Sequence, residues 1–175
     1  MESLPSIQVD IQVDDEYAEL VDVQSLAAVV TAALRRHPDD LNDEVEVALV
    51  VTSDEAVQAL NRDYRGIDSP TDVLSFAAQE DAPAEPDLAL PPELAAEIDR
   101  HLGDIVIAYP YASRQAQHFA NTIAAELRLL AIHGTLHLLG YDHATPEEEE
   151  AMWAEQEVIL SPLGEASMAR RTYAE

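Results

Sequence analysis

The segment from Ser113 to Leu139 constrains the fold more than any other part of the chain. Ile123, Leu127, Leu130 and His137 recur there at helical spacing, and Leu129, Ile132, Leu136 and Leu139 add a second stripe. An apolar surface that wide does not suit the outside of a globular domain, so the spacing predicts one long, central, buried helix. Gly140 is placed to end it as a C′ glycine. The remaining elements must wrap that helix on most of its sides.

Those elements read as alternating strands and helices. Ser6 to Asp14 alternates apolar and polar and suits a strand with one buried face, while Glu44 to Thr52, β-branched and half alternating, suits a second. Between them, Ser25 to His37 carries an apolar helical stripe, with Ser25 as its N-cap and arginines in its last turn. Strand, helix and strand of this length imply a parallel pair joined by a right-handed crossover. Ser53 opens another helix, Ser69 to Phe76 leads from a proline turn into a short strand, and Gly103 to Tyr109 is a buried strand. Thr145 and Glu148 form a capping box with Pro146 at the first helical position, and the run Glu147 to Glu150 complements the dipole of the helix that follows. Ala77 to Leu102 is an acidic excursion with one short helix around Pro92 to His101. With no internal repeat or linker, residues 1–175 read as a single α/β (α+β) domain: a small mixed β-sheet packed with helices around the central one.

Two of the histidines lie inside the central helix. Four residues advance an α-helix by about 6 Å and turn it through roughly 400°, so His133 and His137 share a face and can reach one ion. A chain reversing at Gly140 brings His143 back toward them, completing three protein ligands with a fourth position open for water. The spacing H-x3-H-x2-G-x2-H is that of the metzincin zinc proteases, but Gly134 stands where they carry a glutamate base. Zinc lowers the pKa of a bound water toward about 7, so hydrolysis does not require that carboxylate. Hydrogen bonding alone is the competing explanation for the histidine pair. His118 lies too far before His133 on the same expected helix to be a ligand, and His37 and His101 fall at helix ends.

Composition narrows the partners. There is no cysteine, so a metal must be held by histidine or carboxylate. No stretch approaches the roughly 20 apolar residues of a membrane span, and the first residues lack a targeting pattern, so a soluble cytoplasmic protein is expected. Nine basic residues, all arginine, stand against 35 acidic ones, for a formal net charge of −26. Taken alone, that average field repels a nucleic acid.

The histidine block HGTLHLLGYDH, together with NRDYR, PTDVLSF and GDIVIA, nevertheless resembles the YbeY family of bacterial endoribonucleases, the rRNA maturation factors. The resemblance spans about Asn61 to Glu157. It implies a zincin-like fold with one zinc ion (Zn2+) at His133, His137 and His143. It also implies cleavage of single-stranded RNA, maturation of the 16S rRNA 3′ end and a part in ribosome quality control, beside the ribosomal small subunit and its assembly proteins. Arg65 matches the arginine held essential in the family. A guanidinium there can stabilise charge developing on a phosphoryl group, with zinc-activated water as nucleophile. The ordinary alternative is a salt bridge from Arg65 to Asp63 or Asp68. Asp142 is expected to orient His133 or His137, or to act as a base. Glu126 is expected to make a structural hydrogen bond.

Two departures stand out. Where the family commonly carries lysine between YR and PTDVLSF, this chain has Gly66 to Ser69, and the segment 77–102 is longer and more acidic than usual. Either Arg62, Arg65, Arg114 and Arg128 gather on one face, or the protein meets RNA mainly through a ribosomal partner. The other readings are a zinc peptidase, opposed by Gly134, and a non-catalytic ribosome-assembly factor whose metal only secures the fold.

Overall fold

The computed structural model describes residues 3–78 and 91–171. Four strands, β1 (Ser6–Val13), β2 (Glu44–Thr52), β3 (Val73–Ala77) and β4 (His101–Ala108), form one mixed sheet in the order β1-β2-β4-β3. β1, β2 and β4 run parallel, and β3 is added antiparallel to β4 at the edge. The first two strands are joined through α1 (Val23–Arg35), so the expected parallel crossover is present.

Strand alternation divides the core in two. Ile105 and Ile107 point to the larger cluster, built with α1 and the buried helix α5 (Ile123–Leu138). Val106 and Ala108 point the other way, against Val57 of α2 (Asp54–Arg65) and Leu74 of β3. The second half of β4 is buried on both faces, β2 alternates buried with mostly half-buried residues, and edge strand β1 alternates exposed and half-buried residues. α3 (Pro92–Arg100) matches the short helix expected in the acidic excursion, whose middle, residues 79–90, lies outside the described residues.

The expectation of a buried central helix holds, but its length does not. Residues 113–139 form two helices, α4 (Tyr109–His118) and α5, because Ala120 turns to a φ of 57° and Thr122 starts a new helix. The Thr122 hydroxyl accepts from the Ala125 N–H at 3.1 Å, and Glu126 adds an acid to the first turn. His118 therefore sits on a different helix from His133. Twelve of the sixteen α5 residues are buried, which is why no single amphipathic stripe describes it. One other expectation shifts. α1 is capped by Asp22, which accepts from the Ser25 N–H at 3.2 Å, so Ser25 lies in the first turn. His101 caps the C-terminus of α3, at a helix end as expected, and also begins β4, with Nε2 3.2 Å from the Asp104 carboxylate.

α6 (Pro146–Leu160) starts as the capping box predicts, Thr145 Oγ1 accepting from Glu148 N–H at 3.2 Å. The Glu148 carboxylate accepts from the Ala144 N–H, one residue earlier than the standard box. Glu126 is fully buried and pairs with Arg171, which also lies over the Phe119 ring at 3.9 Å. That pair ties α5 to the segment at residue 171.

At Gly134 α5 lies close against the sheet. A Cβ added there would meet Ile105 Cγ2 at 2.8 Å and Ser75 Oγ at 3.2 Å. The absence of glutamate after His133 thus has a packing cause: any side chain at 134 pushes α5 off β4. Gly134→Ala is expected to lower the unfolding free energy by about 1–3 kcal/mol, as overpacking does. Urea titration measures this, and an unchanged midpoint would contradict so close a contact.

Candidate metal centre

Helical spacing places His133 and His137 on one face of α5, and their outer nitrogens are held from behind. His137 Nδ1 lies 2.9 Å from the Tyr141 carbonyl oxygen, and His133 Nδ1 lies 2.8 Å from Gln156 Oε1. Both partners are oxygen acceptors, so each Nδ1 carries the hydrogen and each Nε2 presents a lone pair. The two Nε2 atoms are 3.1 Å apart. With both rings neutral, neither has a proton to offer the other. Burial keeps them neutral: it pushes His133 down to about 3, helped by the neighbouring His137, and it lowers His137, helped by His143.

His143 arrives through the turn at Gly140, whose φ of 102° suits glycine. The Gly140 N–H donates to the His137 carbonyl and the Tyr141 N–H to the Leu136 carbonyl, both at 3.0 Å, which is the Schellman ending. Asp142 Oδ1 then accepts from the His143 N–H at 2.8 Å. One ligand nitrogen from each of the three imidazoles falls within 4.8 Å of the others, a group that can hold a metal ion. Two lone pairs facing at 3.1 Å fit that use: the nitrogen–nitrogen edge of a tetrahedral zinc site is about 3.3 Å.

The centre opens into a cavity of about 620 Å³, lined by the three imidazoles, Arg65, Asp72 and Asp142 among others. Arg65 ends α2, beside the loop that Asn61 ties down by donating to the Ser69 carbonyl at 2.9 Å. Its charge is felt at His137, where it disfavours protonation. The salt bridges that sequence reading allowed it are absent among the described residues: Arg62 takes Asp63, and Asp68 accepts from Gln58. Seven of the nine arginines pair with carboxylates, and Arg35 donates to the Pro5 carbonyl. Among the described residues Arg65 is the guanidinium without a hydrogen-bond or ion-pair partner. Arg62, Arg114 and Arg128, which one of the two alternatives gathered with it on a basic face, are committed to Asp63, Asp54 and Glu165.

Sequence reading missed three groups. Gln156 and the Tyr141 carbonyl orient His133 and His137, the task expected of Asp142. Asp72, inside PTDVLSF, is buried on the cavity wall, and burial pushes its carboxyl above the usual range. Its Oδ1 accepts from the Val73 N–H at 2.7 Å. The block containing Asp72 was the available signal. Gln156 lies 23 residues from its histidine and gave none.

Residues 10–164 match the family model described as Endoribonuclease YbeY. The chain is 50% identical over 121 residues to an endoribonuclease YbeY of Moorella thermoacetica, covering 69% of this chain and 74% of the relative. It is 46% identical over 119 residues to that of Brevibacillus brevis, covering 68% and 75%. With the protein of the same name from Geobacillus thermodenitrificans, identity is 40% over 161 residues, covering 91% and 97%.

The buried imidazole has a consequence for stability. His133 titrates lower folded than unfolded, so the unfolded chain binds the proton first as pH falls below about 6.5. Stability contributed by neutral His133 is present above that pH and is lost toward about 3. The slope is at most ~1.4 kcal/mol per pH unit. Urea unfolding of metal-free protein between pH 7 and pH 5 is expected to show this loss, and His133→Gln to reduce it. Equal slopes would contradict the burial argument.

Proposed function

Because the chain belongs to the endoribonuclease YbeY family, we propose that it is a metal-dependent hydrolase of single-stranded RNA working at the His133, His137 and His143 centre. The observation that carries this reading is one cavity holding three imidazoles and Arg65, the guanidinium without a hydrogen-bond or ion-pair partner among the described residues. In a chain of net charge −26 almost every other cation is neutralised, so an unengaged arginine facing the candidate ligands suits an anionic group of the substrate.

Zinc is the ion best suited to three neutral imidazoles; His133, His137 and His143 would hold it, and it would supply Lewis acidity and lower the pKa of a water. The protein's own residues do the rest. The Arg65 guanidinium holds the non-bridging phosphoryl oxygens and stabilises charge that grows as water adds to phosphorus and one P–O ester bond breaks. Asp142, on the cavity wall with one oxygen held by the His143 N–H, receives the proton that the water gives up. Asp142 passes that proton on to the leaving oxygen as the P–O bond breaks, so one product keeps the phosphate and the other a hydroxyl.

Family membership supports rRNA as the substrate, with maturation of the 16S 3′ end and ribosome quality control as the setting. The acidic surface supports delivery by a partner, since little free positive charge remains to track an RNA backbone. We assign that part to the ribosomal small subunit and its assembly proteins, in the cytoplasm, with residues 1–175 acting as one domain. No described helix is long and apolar enough to cross a membrane.

Zinc-loaded protein given a single-stranded rRNA fragment is expected to cleave it. Arg65→Ala should slow cleavage about 10²- to 10³-fold, the usual loss for a transition-state donor, with zinc content unchanged. His137→Ala should lose both zinc and cleavage. Cleavage indifferent to Arg65→Ala would rule out the clamp. Intact RNA with zinc bound would favour the assembly-factor reading, and cleavage of a denatured protein instead would favour the peptidase.

A further inference from the structure

The amide that holds His133 is itself aimed by the C-terminal segment. Gln156 is fully buried on α6, and its Nε2 donates to the Ala169 carbonyl at 2.6 Å. A carbonyl oxygen only accepts, so the amide nitrogen must face Ala169 and Oε1 must face His133. Turned the other way, two oxygens would meet at 2.6 Å in a buried site. One backbone carbonyl therefore determines which atom of Gln156 reaches the imidazole.

Ala169 is secured on both sides. A 3-10 turn, Ala166–Met168, leads into it, and the Ala169 N–H donates to the Ala166 carbonyl at 3.1 Å. Two residues on, the Arg171 carbonyl accepts from Trp153 Nε1 at 3.0 Å, and the Arg171 guanidinium pairs with buried Glu126 of α5. This strap lies beyond residue 164, where the match to the family model ends.

The orientation matters because His133 has a competing arrangement. With its hydrogen on Nε2, the ring would donate to His137 Nε2, 3.1 Å away, and the two imidazoles would satisfy each other. That pairing closes the lone pair a metal ion needs. An acceptor at Nδ1 favours the open tautomer instead.

We infer that Gln156 is a positioning residue: its amide, set by the Ala169 carbonyl of the C-terminal strap, holds His133 as the Nδ1–H tautomer and keeps Nε2 available to a metal ion. The inference rests on the proposed metal centre for its consequence, though not for the tautomer itself.

Long-range proton–nitrogen NMR on the full-length, metal-free protein at pH 7.5 reads that tautomer directly. Wild-type His133 is expected as Nδ1–H, and Gln156→Leu is expected to move it largely to Nε2–H. Chelator competition should then show zinc affinity falling about 10- to 100-fold in Gln156→Leu. Gln156→Glu keeps an acceptor at His133 and, with its other oxygen protonated toward the Ala169 carbonyl, should retain the Nδ1–H form and bind zinc within a few-fold of wild type. A wild-type His133 found as Nε2–H, or a folded Gln156→Leu that keeps Nδ1–H, overturns the inference. Should Gln156→Leu fail to fold, the wild type and Gln156→Glu decide it: Nε2–H in either one overturns it. Wild-type protein that binds no zinc overturns the metal centre instead and leaves the tautomer comparison to decide the role of Gln156.

Discussion

The contact between α5 and β4 at Gly134 is the constraint on which the rest of the structure depends. A Cβ there would come within 2.8 Å of Ile105, so the helix backbone lies directly on the sheet. Ser75 Oγ, on the adjacent strand, donates to the Gly134 carbonyl at 3.3 Å. That seating fixes the height and rotation of the residues on either side, His133 and His137 included. It also places the edge strand β3, with Val73, Ser75 and Ala77, on the wall of the cavity that the imidazoles enter. The metzincin spacing is thus kept without the metzincin base, because the position where that base would stand is occupied by the contact holding the helix in place.

From this seating the remaining devices follow in order. α5 ends in a glycine turn that returns His143 to the first two histidines, and the same turn offers the Tyr141 carbonyl to His137. α6 lies against α5 and brings Gln156 to His133. On the far side of the cavity α2 ends at Arg65. The electrostatic contrast is local: 35 acidic residues neutralise almost all the positive charge of the chain, and the guanidinium left unengaged among the described residues lines the cavity with the imidazoles. Average charge therefore says little about what this site attracts.

Much of this was legible in the sequence, because it depends on local spacing. The histidine triad, the glycine turn, the capping box at Thr145 and the parallel strand pair all rest on patterns of a few residues. The break between α4 and α5 was not read, since apolar periodicity runs through it; Thr122 followed by Glu126 was the cap signal beneath that periodicity. The orienting groups were harder to see. Tyr141 acts through its backbone carbonyl, which any residue carries, and Gln156 meets His133 only when two helices pack. The freedom of Arg65 could not be read from neighbours in sequence, because Asp63 and Asp68 were both near and both proved to be engaged elsewhere.

The central claim is that three imidazoles, two of them locked by partners outside the site, would hold an ion with one side open to substrate. X-ray absorption at the zinc edge of the metal-loaded protein tests it most directly. The account predicts three nitrogen donors at about 2.0–2.1 Å completed by oxygen from water, with one nitrogen lost in His143→Ala. A shell closed by a fourth protein ligand, or an unchanged shell in His143→Ala, would contradict it.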